Sequence, residues 1–211
     1  MEPRPATCRA STRMTSRFSV FLSCLLLPVT MACFLLPGAT AFAGDAMILW
    51  KVGSLPPDAR LDGENGGKLD GTPWDYKDYL GRIHLLFYVD PDAQEDGEEL
   101  ANLLDAEKFP GDQVHSSAIV NMKATNIPNF LIEIRLSAKQ KRFPNTTYAK
   151  DFTKHLVKEW GLKDDAYNFL ILNQKGELIH HSWGKPTKEE IAGMIALIRK
   201  NFVVAPEKPK G

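Results

Sequence analysis

Apolar residues in this chain fall into two patterns, short unbroken runs and longer stretches with a spacing of three to four. Ile83 to Val89 (IHLLFYV) is a run of β-formers with a single polar interruption, as expected for a strand buried on both faces. Ser116 to Met122 (SSAIVNM), Thr146 to Ala149 and Tyr167 to Leu172 (YNFLIL) predict further strands. Asn173 to Gly176 then forms a turn, and Glu177 to Trp183 is a returning strand. Leu100, Leu103 and Leu104 predict a helix over 98–108, and Asn126 to Arg142 a second helix carrying Phe130, Ile134 and Leu136. Phe152, Leu156, Val157 and Trp160 mark a third helix that Gly161 stops. Thr187 and Glu190 have capping-box spacing ahead of the stripe Ile191, Met194, Ile195, Ile198 and Phe202. The resulting order is β-α-β-α-β-α-β-β-α. Leu61 to Gly71 (LDGENGGKLDG) reads as turns joining short strands, because its spacing does not suit a calcium loop.

The first residues obey a different pattern. Arg4, Arg9, Arg13 and Arg17 precede an apolar stretch from Phe18 to Pro37, which ends in Ala41-Phe42-Ala43. A basic segment, an apolar core and small residues at −3 and −1 of a cut predict a secretory signal over 1–43, removed after Ala43. The rivals are an uncleaved anchor, since roughly 20 apolar residues span a bilayer, and a lipoprotein cut before Cys33. Ser19, Ser23, Thr30 and Pro28 interrupt the run, and Thr30-Met31-Ala32 is a poor lipobox, so the pattern favours cleavage after Ala43. Export would deliver a periplasmic domain over 44–204, with a disordered tail over 205–211 and no stable membrane insertion.

Composition then narrows the chemistry. All three cysteines, Cys8, Cys24 and Cys33, lie inside the segment to be removed. Removing the four arginines and Glu2 from 26 basic and 26 acidic residues leaves 22 against 25, a net charge near −3. A mildly acidic domain has no electrostatic pull toward nucleic acid. No serine-histidine-acid order, phosphate loop or zinc signature is present, and no cofactor is implied. Among the five histidines, His180 and His181 are strand neighbours that point to opposite faces, and His84 reads as a hydrogen-bonded core residue.

Val52-Gly53, Pro56-Pro57 and Tyr79-Leu80-Gly81-Arg82 ahead of the apolar strand resemble the opening of exported thioredoxin-like proteins of the TlpA or peroxiredoxin-like form. Phe143-Pro144, Lys150-Asp151, Trp160-Gly161, Phe169-Leu170-Ile171 and Gly184 with Thr187 resemble their second half. Ala118-Ile119-Val120-Asn121, Ala124-Thr125, Pro128-Asn129 and Lys139-Gln140-Lys141 resemble the YtfJ family of periplasmic proteins more closely. The resemblance implies an α/β thioredoxin-like fold, with a central mixed β-sheet flanked by helices and a terminal β-hairpin plus helix. It also shows what is missing. Aligned on the first core strand, Asp92 and Glu95 stand where relatives carry the two cysteines, and Ala166 stands where they keep a proline. A chain without cysteine after Cys33 excludes thiol-disulfide exchange and thiol peroxidase chemistry.

The expected working surface is therefore the vacated active-site face: Asp90, Asp92, Glu95, Asn121, Thr125, Asn129 and Ala166. Asp90, Asp92, Glu95 and Asp96 form either a hard-oxygen site for a divalent cation or a solvated turn favoured by the next helix's positive end. Asn121, Thr125 and Asn129 follow a strand's C-terminal end, where open α/β sheets bind ligands. The plainer account has Thr125 and Asn126 capping a helix. The function expected is non-redox binding or adaptor work on a protein or small-molecule partner. The alternative is a non-thiol enzyme that uses the acidic loop.

Overall fold

The computed structural model describes residues 48–202. The expected signal segment, the cut after Ala43 and the tail over 205–211 lie outside the described residues. Strand β1 (Arg60–Leu61) pairs with β3 (Trp74–Asp75) in a small two-stranded sheet. Strands β2 (Gly66–Lys68), β4 (Ile83–Val89), β5 (Val114–Asn121), β6 (Thr146–Asp151), β7 (Tyr167–Leu172) and β8 (Leu178–Trp183) form a six-stranded sheet in the order β2-β6-β5-β4-β7-β8. β4, β5 and β6 run parallel, whereas β2, β7 and β8 pair antiparallel to their neighbours. The helices are α1 (Glu98–Ala106), α2 (Asn129–Arg142), α3 (His155–Trp160) and α4 (Lys188–Lys200). β4 therefore lies between β5 and β7, which explains its nearly unbroken apolar sequence.

Alternation along the strands sends side chains to two separate cores. On one face Leu86, Tyr88, Ile119 and Leu170 pack with Trp74, Trp160 and Leu156, beneath α3 and the segment before β1. Trp160 meets Trp50 edge-on, with ring centroids 5.3 Å apart. On the other face Leu85, Phe87 and Phe169 pack against α1 and α4 through Leu100, Ile191, Met194 and Ile198. The expected capping box is present: Glu190 N–H donates to Thr187 Oγ1, and Thr187 N–H donates to Glu190 Oε2. Asn173 Oδ1 accepts the amides of Lys175 and Glu177, so the β7–β8 turn closes where Asn and Gly predict it.

The structure corrects the reading of α2. Its helix begins at Asn129 with Pro128 before it, so neither Thr125 nor Asn126 caps it. Ile132 and Leu136 are the buried pair, packed against Tyr148 and Val120, whereas Phe130 and Ile134 are 60% and 63% exposed. Two residues along a helix is about 200° of rotation, so burying 132 and 136 turns 130 and 134 outward. Phe152 falls in the turn before α3 rather than on its face.

Candidate functional site

Parallel register brings three strand ends level, with Val89 opposite Val120 and Asn121 opposite Asp151. The loops that leave these ends meet. Asp90 N–H donates to Ala166 O at 3.2 Å, and Asp90 Oδ1 accepts Asp92 N–H at 2.8 Å. Thr125 Oγ1 donates to Asp92 Oδ1 at 3.3 Å while accepting Ile127 N–H at 3.2 Å, which ties the β5–α2 loop to the acidic turn. Asn121, buried at the end of β5, donates from Nδ2 to Asp164 Oδ1 at 3.2 Å. Because Asp164 lies two residues before Ala166, these bonds close a circuit around one end of the sheet.

Lys154 adds a cation to this end. Its Nζ lies 2.5 Å from Asp164 Oδ2 and 3.6 Å from Asp165 Oδ1. Both Lys154 (φ 56°) and Asp165 (φ 52°) are left-handed. Non-glycine residues pay about 1–2 kcal/mol each for that conformation, so the ion pair is held by backbone that sequence propensity does not favour. Burial raises the Asp90 pKa, with the carboxylates of Asp92, Asp165 and Asp164 adding to it and the Asp92 amide opposing. The hydrogen bond to Asp164 raises that of Lys154. Beneath the circuit, Tyr88 Oη donates to Asp151 Oδ2 at 3.1 Å, and burial, with Asp151, raises the Tyr88 pKa.

The sequence matches, over residues 63–201, a family described as "bacterial protein of unknown function (YtfJ_HI0045)". The chain belongs to the YtfJ family. It is 23% identical over 196 residues to the uncharacterized protein YtfJ of Escherichia coli (strain K12), covering 89% of this chain and 98% of that one. Among solved structures, a candidate protein disulfide isomerase from Bacteroides thetaiotaomicron superposes with a TM-score of 0.51 at 13% identity, covering 74% of this chain and 93% of that one. A candidate thioredoxin from Neisseria meningitidis gives a TM-score of 0.50 at 16% identity, covering 70% and 93%. Likeness at this identity shows the thioredoxin-like fold.

In this YtfJ-family chain, Asp90, Asp92, Asn121, Thr125 and Ala166 join the circuit, whereas Glu95 and Asn129 do not. Glu95 is exposed on the turn Pro91–Gly97, beside Glu98, Glu99 and Lys185, and Asn129 is exposed at the first position of α2. Asp151, Lys154 and Asp164 were absent from the residues singled out by sequence. The hints in the sequence are the Lys150-Asp151 pair of the family resemblance and the Lys163-Asp164-Asp165 run directly before Ala166. Among the described residues, no three His, Cys, Asp or Glu side chains are placed to hold a metal ion. His84 is buried, with Nε2 2.9 Å from Ser117 Oγ, and burial lowers its pKa well below the ordinary value.

Proposed function

We propose that residues 44–204 act as an exported, non-redox binding module, docking a partner at the sheet end formed by Asp90, Asp92, Asn121, Thr125 and Ala166. The observation that carries this reading is the closed circuit, which gathers loops after β4, β5 and α3 at the C-terminal ends of parallel strands. Ligands in open α/β sheets bind at such ends. The surface is acidic, with Asp92 and Asp165 exposed, so it suits a partner that presents cationic or hydrogen-bond-donor groups. A second reading, a non-thiol enzyme using the acidic loop with or without a divalent ion, draws on the raised pKa of Asp90. It is the weaker one, because Asp90 Oδ1 is already engaged by the Asp92 amide.

A photo-activatable residue placed at exposed Asp92, and separately at exposed Lys158 on α3, tests the binding reading in cells. A discrete cross-linked product from position 92 is expected, absent from position 158 and reduced by Asn121→Ala in a folded protein. No product at 92, or equal products from both positions, overturns it.

A further inference from the structure

A cleft between two helices is lined by none of the residues of the sheet-end circuit. This cleft, of about 640 Å³, opens between α1 and α2 over β4, β5 and β6, within the range of about 300–1,000 Å³ that small-molecule sites occupy. Phe87 and Ala118 lie on its floor. Tyr148 and Tyr167 also line it, each only 6% exposed, and neither hydroxyl has a hydrogen-bond partner among the described residues. Two hydroxyls that bond no protein group and open into a single cleft are free to donate to a ligand that accepts hydrogen bonds. The Tyr167 position is built in: a Cβ on Gly97 would sit 1.8 Å from the Tyr167 ring, so only glycine admits the ring there.

The α2 wall supplies charge of the matching sign. Lys139 reaches only Gln94 Oε1, at 3.4 Å, and the Arg142 guanidinium lies 4.9 Å from the Phe143 ring centre. Neither has a carboxylate at ion-pair distance among the described residues. On the α1 wall Lys108 is already paired with Asp105 at 2.9 Å, and Glu98 also lines the cleft. The surplus positive charge is therefore on the α2 side, next to Tyr148.

We infer that this cleft binds an amphipathic anion, a carboxylate with an apolar chain. The chain would lie over Phe87 and Ala118. The carboxylate would accept from the Tyr148 and Tyr167 hydroxyls and face Lys139 and Arg142. The site is independent of docking at the sheet end.

Calorimetric titration of the exported protein with decanoate, and with decanol as the uncharged equivalent, tests it. Decanoate is expected to saturate one site per chain, with decanol at least about tenfold weaker. The pair Tyr148→Phe with Tyr167→Phe keeps both rings and is expected to weaken decanoate at least about tenfold. The exposed pair Lys139→Gln with Arg142→Gln does the same and keeps the test decisive if the tyrosine pair fails to fold. Absence of saturable decanoate binding, equal affinity for decanol, or indifference to the lysine-arginine pair overturns the inference.

Discussion

Asp151 has no solvent exposure, yet its carboxylate organises the turn beneath the site. Oδ1 accepts the amides of Thr153 at 3.1 Å and His155 at 2.8 Å, and Oδ2 accepts the Leu156 amide at 3.0 Å and the Tyr88 hydroxyl. One side chain thus satisfies the first free amides of α3 and ties that helix to β4. Such a carboxylate is worth more than an ordinary cap, because its removal leaves several buried donors unpaired, each costing about 1–3 kcal/mol. Asp151→Ala is expected to lower the unfolding free energy by at least about 3 kcal/mol in urea titration. Tyr88→Phe, which removes one donor while the others remain, is expected to cost about 1 kcal/mol. Equal losses for the two variants would show that the amides do not depend on this carboxylate. The Lys150-Asp151 pair belonged to the family resemblance in the sequence. Its role was not legible there, because an acid after a strand and before a helix has many uses and Tyr88 is 63 residues away.

At the level of elements, the sequence predicted those whose apolar positions have a single solution. β4 and β7 are apolar except for His84 and Asn168, and fit central strands. α4 has one stripe and a capping box, and both are present in the structure. α2 behaved differently because Phe130, Leu131, Ile132, Ile134 and Leu136 offer apolar residues around most of its circumference. Periodicity alone cannot choose a face there, and tertiary packing against Tyr148 and Val120 selects Ile132 and Leu136. The two choices differ in energetic consequence. Leu136→Ala is expected to cost about 2–4 kcal/mol by emptying a packed position. Ile134→Ala, at an exposed one, is expected to change stability by less than about 1 kcal/mol. Comparable losses in thermal or urea unfolding would restore the face read from sequence. The candidate site was legible to the extent that it sits at strand ends. Asp90 and Asp92 follow β4, Asn121 ends β5 with Thr125 in the loop after it, and Ala166 directly precedes β7. Asp164 and Lys154 were not, because their partners become neighbours only when the loops converge.

For the whole molecule, fold and chemistry separate. The YtfJ-family match and the thioredoxin-like sheet establish the scaffold. Thiol chemistry depends on a different fact, namely where Cys8, Cys24 and Cys33 reside once the protein is in place. Residues 48–202 contain none of them, and no turn at the end of β4 carries a thiol in place of Asp92 or Glu95. The proposal of a binding module working without redox chemistry therefore depends on the removal of residues 1–43. Thiol titration and N-terminal sequencing of the exported protein, denatured and under reducing-agent-free conditions after prior reduction, measure this directly. The account predicts a chain that begins at Gly44 and carries no thiol. A chain that keeps Met1 with its three cysteines, or one that begins at a lipid-modified Cys33, would contradict it.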